Sequence, residues 1–288
     1  MGLRSQRYIE NYQITNKNFQ KQMKQYFKPI LLAVVFLVMQ GLAGVVMTGI
    51  LLFVNPDFKE ATLAGSQEAA MEALPVSWLA MATVVAGILT VLVASAMKLI
   101  SWRAAFRWSG RQTAGAWLPL LAAVVGIFAI DVLEEQLHLP NLLEAQFADM
   151  MHSTLGILTI CLVAPIVEEL CFREAVMGGL LRRGAAPWAA ILISALLFGL
   201  IHANPVQIVV AGLMGIMLGI IYYKSGSIVL PTVLHILNNS VATFLTVTFG
   251  QDASFTEWAD SVVLSVLAGL LAAVVSIVLF VRYWRSHN

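Results

Sequence analysis

Three short patterns place ionisable and amide side chains inside otherwise apolar stretches of this chain. They are Glu168-Glu169-Leu170-Cys171-Phe172-Arg173, Phe198-Gly199-Leu200-Ile201-His202 and His235-Ile236-Leu237-Asn238-Asn239. Buried charge must be paired, hydrated or neutralised, and ionisable groups inside apolar spans are functional candidates by default. On a helix, Glu169 and Arg173 are four apart and can pair on one face. Glu168 then points about 100° away, free to meet another neighbour. His235 and Asn239 also share a face. One unpaired carboxylate, two imidazoles and an amide are the parts needed to activate water and stabilise an oxyanion. Glu168 with His202 can take a proton from water, while His235 and Asn239 can direct donors at the developing oxyanion. The competing reading is structural. Glu169 with Arg173 can be an interhelical clasp, and each histidine alone can be polar glue between helices. His138, His152 and His287 fall in loops or at segment ends and receive no role.

The elements that must position these groups are membrane helices. The chain has 288 residues, 59% hydrophobic and 11% charged, with mean hydropathy +0.83. Soluble domains carry closer to a quarter charged residues, so the expected class is an all-α, polytopic membrane bundle. Net charge near +1 gives no basis for a nucleic-acid partner. The two cysteines, Cys161 and Cys171, are ten residues apart, about 15 Å along a helix, and are expected as unbridged thiols.

Residues 1–28 form a polar, basic tail, too long for the basic region of a signal peptide. Eight spans are expected at 29–54, 76–100, 115–132, 152–181, 185–201, 205–222, 228–249 and 261–281. The first tolerates Pro29 in its opening turn. Residues 141–150 read as a short interfacial helix. This divides the chain into a tail (1–28), three N-terminal spans (29–140) and a membrane core holding the interfacial helix and five spans (141–284). Basic clusters (Lys17 to Lys28, Arg103 to Arg111, Arg182 with Arg183, Lys224, Arg282 with Arg285) alternate with acid-rich loops. Glu60, Glu68 and Glu72 mark the first such loop, Asp131, Glu134 and Glu135 the second, and Asp252, Glu257 and Asp260 the third. With eight spans every basic cluster falls inside, so both termini are expected in the cytoplasm of a cell-membrane protein.

A turn centred near Gly184 makes the fourth and fifth spans antiparallel and sets Glu168 level with Ile201, one residue from His202. The fourth span, near thirty residues, must then tilt or protrude. Gly215 and Gly219 in the sixth span have the spacing of a close helix contact. Pro231, early in the seventh, either is a harmless kink or shapes the helix before His235.

Over 155–249 the three patterns, in order, resemble the signature of the CAAX prenyl protease and bacteriocin-processing family, also called the Abi family. The resemblance implies an intramembrane endopeptidase acting on membrane-associated peptides or proteins. It assigns water activation to Glu168 with His202, the oxyanion site to His235 and Asn239, and support to Glu169 and Arg173. No metal or other cofactor is expected. Zinc held by Glu168, His202 and His235 is the alternative, since two histidines and a glutamate leave an open fourth position, but no His-Glu-x-x-His pattern is present. A non-catalytic immunity factor or scaffold is the alternative of a different class. Substrate identity and oligomeric state are left open.

Overall fold

A computed structural model describes residues 3–66, 69–70, 73–107, 115–250 and 254–286. Glu68, Glu72, Arg111, Asp252 and His287 lie outside them. Among the described residues every regular element is helical. Seven helices are long and apolar enough to span a membrane: α1 (Leu3–Val54), α2 (Val76–Ala96), α3 (Trp117–Leu137), α4 (Thr154–Leu181), α6 (Pro205–Ser225), α7 (Val229–Phe249) and α8 (Val262–Arg285). The remaining apolar helix, α5 (Pro187–Leu200), has 14 residues. The chain is a multi-pass helical membrane protein, with a helix at each expected span.

Two boundaries differ most from expectation. The polar tail does not stop at Pro29: α1 runs unbroken through it from Leu3, because the stretch before it is rich in glutamine and lysine, which are good helix formers. The third span continues past Val132 to Leu137. Asp131, Glu134 and Glu135 therefore stand on a helix rather than in a loop. The short helix before α4 is Glu144–Met151, close to the interfacial segment expected. Pro231 is the third residue of α7, where a missing N–H costs no intrahelical bond, so it produces no kink.

α4 is the centre of the bundle. Every residue from Glu169 to Met177 is buried, packed against α1, α2, α5 and α6. Around this post, α1 lies along α2, α5 along α6, and α3 along α8. The α5–α6 pair is close because Gly215 faces Ala195: a β-carbon there would sit 3.0 Å from the Ala195 Cα. The antiparallel register of α4 and α5 is near that expected. Ser194 Oγ donates to Phe172 O at 2.8 Å, and the Phe172 and Phe198 rings meet at 5.3 Å.

A second buried carboxylate fixes the inner end of α4. Glu174 accepts from Tyr222 Oη (2.6 Å), Arg182 Nη1 (2.7 Å) and Ser101 N (2.9 Å), and Arg182 also donates to Leu99 O. This joins α4, α6 and the turn after α2. The spacing patterns do not mark Glu174; the only signal is an acid in an apolar run eight residues before Arg182.

At 1.5 Å per residue, α5 is about 21 Å long, short of a hydrocarbon core of about 30 Å. Whether it crosses is decided by labelling. Cysteines substituted at Ser66 and Ser286 should react with impermeant reagents from opposite sides of the membrane. Reaction from one side would mean that one of the eight helices does not traverse.

Candidate active site

The polar residues of α4 do not sit on an ordinary α-helix. Residues Thr159–Val163 and Glu169–Met177 are wound as π-helix. Gly178 N–H, for example, bonds to Arg173 O five residues back. π-Turns widen a helix locally and are frequent at functional sites. Here the widening begins immediately after Glu168 and turns both carboxylates toward α7.

The result is a charged cluster built on His235. Its Nδ1 lies 3.0 Å from Glu169 Oε1, and its Nε2 lies 3.6 Å from Glu168 Oε2. Glu169 Oε1 is also 3.0 Å from Arg173 Nη1. Glu169 and Arg173 are 0% and 1% exposed, against 14% for the Glu168 side chain. The guanidinium is near its counter-charge but off the line of a hydrogen bond, and none of its nitrogens finds a well-directed acceptor among the described residues. Instead it lies over the Phe198 ring, 4.3 Å from the centroid, an arrangement that favours a cation. The same ring meets His202 and His235 nearly at right angles, with centroids 5.1 Å and 5.8 Å away. Phe198 is thus the partition against which both imidazoles and the arginine are set.

His202 follows the last turn of α5, where its Nδ1 lies 2.8 Å from Phe198 O. A carbonyl there accepts from Nδ1–H and leaves Nε2 free. Ala203, next in sequence, takes φ +51°, and Asn204 Nδ2 and Oδ1 then bind Asn141 Oδ1 (2.8 Å) and Leu142 N (3.0 Å). This clamp turns the chain at the end of α5 and so fixes His202. Asn239 donates from Nδ2 to Ile160 O (3.0 Å), and its Oδ1 accepts from Asn238 (3.1 Å). One amide hydrogen is spent, the other is not. Both cysteines are free thiols, with Cys161 Sγ 3.4 Å from Thr243 Oγ1.

Glu168, His202, His235 and Asn239 line one cavity of about 620 Å³, walled mostly by apolar residues of α3, α6 and α7. Glu169 and Arg173 stand behind them. The nearest basic group to Glu168 is His235 rather than the expected His202, because the π-turn swings the carboxylates together instead of splaying them. Asp131 and Glu134 of α3 and Gln207 of α6 line the same cavity. Helical spacing of Asp131 with Ile127 and Glu134 would have put these acids on the core-facing side of α3. Read as loop residues, they lost that signal.

Zinc would need three or more donors around one point. Among the described residues no three His, Cys, Asp or Glu side chains converge in that way. Glu168 and His235 approach each other, and His202 lines the same cavity.

Glu169 is the residue whose loss leaves a buried charge alone. Glu169→Gln is expected to destabilise the protein by about 3 to 5 kcal/mol through the stranded Arg173. Glu168→Gln, partly exposed and not in contact with the guanidinium, should leave the melting temperature in detergent nearly unchanged. Equal melting of the two variants would contradict this division of roles.

Comparison with known proteins points to the same segment. Residues 150–241 match the family described as Type II CAAX prenyl endopeptidase Rce1-like. A Bacillus subtilis (strain 168) protein named "Putative membrane peptidase YdiL" is 30% identical over 86 residues, which are 30% of this chain and 35% of that one. The chain therefore covers well under two thirds of this relative's length. No solved structure matches the chain. The matched residues include all three patterns and every side chain of the cluster on α4, α5 and α7. The segment that carries the cluster, residues 150–241, is thus similar to the Rce1-like CAAX prenyl endopeptidases.

Proposed function

We propose that the protein is an intramembrane endopeptidase that hydrolyses peptide bonds of membrane-associated peptides or proteins with water activated by Glu168. The observation that carries this reading is the approach of Glu168 Oε2 to His235 Nε2, 3.6 Å apart, on the wall of a 620 Å³ cavity among spanning helices. That gap is too long for a direct hydrogen bond, but a reacting oxygen set to one side of it, in the cavity, can reach both groups.

In this reading Glu168 takes a proton from water as the oxygen attacks the substrate carbonyl, and later gives it to the leaving amine. Glu169 on Nδ1 holds the His235 ring in orientation, as a carboxylate orients the base of a hydrolytic triad. His235 then meets the oxyanion as an imidazolium, its Nε2–H donating while Nδ1–H stays on Glu169, joined by the unspent amide hydrogen of Asn239. His202, its Nδ1 committed to Phe198 O, offers Nε2 to the water. Arg173 acts on none of the reacting atoms; it pairs with Glu169 and holds it in place. No step passes through a metal. The positive-inside pattern supports cytoplasmic termini in the cell membrane.

The test uses purified protein and a membrane-peptide reporter. Glu168→Gln should lose activity about 100-fold or more while melting normally. Loss of His235 should cost about 10² to 10³, the range for one oxyanion donor, and wild type should keep its activity after chelation and dialysis. Full activity of Glu168→Gln would leave a binding role, as in an immunity factor or scaffold. Stoichiometric zinc that vanishes in the Glu168, His202 and His235 variants would replace the glutamate mechanism with a metal one.

A further inference from the structure

A second large concavity lies on another face of α6. It is a groove of about 580 Å³ between α3, α6 and α8, open to the side. Leu213, Ile216 and Ile220 of α6 face Ala273 and Ile277 of α8 across it, with Leu133 of α3 at one end. Its inner wall is closed where α3 approaches its neighbours most tightly. A β-carbon on Gly126 would lie 2.6 Å from Met217 Sδ and 2.7 Å from Ser276 Oγ. Ser276, the hydroxyl in the wall, is already spent on Ala122 O at 2.7 Å. The groove therefore offers an acyl chain nothing polar to desolvate.

The other end is of a different character. Trp188, Trp284 and Arg285 form the mouth. Trp284 is stacked between Trp188 (4.7 Å) and Tyr223 (5.2 Å), and Lys224 Nζ donates to Trp284 O at 2.6 Å. Aromatic rings with cations mark the level of the headgroups. Lys224 is thus committed to the protein. Arg285 is exposed and has no ion-pair or hydrogen-bond partner among the described residues. From Ala273 to Arg285 the groove follows α8 for about 18 Å, close to the hydrocarbon depth of one leaflet, about 15 Å.

We propose that this groove binds one anionic glycerophospholipid, its acyl chain between α6 and α8 and its phosphate on Arg285. Depth, apolar walls and a free cation at headgroup level are the three complementary features. An acyl chain gains little by leaving the bilayer for an equally apolar wall. The groove therefore sets where the lipid lies, and Arg285 sets which headgroup is preferred. A guanidinium suits a phosphodiester because its N–H groups match the oxygens in pairs.

The test is independent of any hydrolytic activity. Full-length protein is delipidated in detergent and titrated with phosphatidylglycerol or phosphatidylcholine of identical chains, and bound lipid is counted by native mass spectrometry. Wild type should hold one phosphatidylglycerol about five- to tenfold more tightly than phosphatidylcholine, the effect of one cation near a headgroup. Arg285→Gln should bring phosphatidylglycerol down to the phosphatidylcholine level without a change in melting. Ala273→Trp, or Ile277→Trp if the first variant melts early, should exclude both lipids by filling the groove. Equal affinity of wild type for the two lipids would overturn the proposal. So would lipid retained in both groove-filling variants, or a dimer that those variants abolish, which would assign the groove to a second copy of the chain.

Discussion

The structure depends on one requirement: the guanidinium of Arg173, buried at the centre of the bundle, must have a negative charge against it. Glu169 supplies that charge, and the same oxygen holds His235. A substitution at either end of this chain of contacts therefore reaches the imidazole that faces the cavity. Of the two carboxylates, Glu169 is held by the guanidinium where only packing can reach it. Glu168, the most exposed of the group, borders the cavity and meets His235.

The helical scaffold serves this arrangement through local departures from regular geometry. The π-turns of α4 bring two successive carboxylates to one histidine, which a uniform α-helix would separate. The Asn204 clamp turns the chain just after α5 and so fixes His202. Glu174, with Tyr222 and Arg182, anchors the end of α4 away from the cavity. Polar groups buried in a membrane protein have few alternative partners, so each of these contacts also fixes the register of the helices that contribute to it.

Much of this was legible in the sequence. Apolar run lengths and charge alternation located a helix at each of eight positions, and the spacing of Glu169 with Arg173 foretold their contact. The turn at Gly184 foretold the register of α4 against α5. What spacing alone did not reveal was the partner of Glu168, since the inference assumed 100° per residue where the chain is wound more loosely. A π-turn leaves no compositional mark comparable to a glycine or proline. Asp131 and Glu134 were legible as acids but not as cavity residues, because a charge at the edge of an apolar run reads as the end of a span. In this chain the helix continues through them, with one face toward the cavity that also holds Glu168 and His235.

The length of α5 has a consequence for the lipid around the protein. Leu192, Leu196 and Leu200 lie on its exposed side, so this helix is part of the boundary with the bilayer, yet it ends several ångströms before a full crossing. Lipid tails beside it must shorten, or headgroups and water must dip to meet its end. That depression would lie next to His202, on one flank of the molecule only. The surrounding membrane would then be deformed asymmetrically, thinnest beside the cavity that His202 lines. Bilayer thickness, set by tail length, becomes a variable that acts on hydration of the site without any part of the protein having to move.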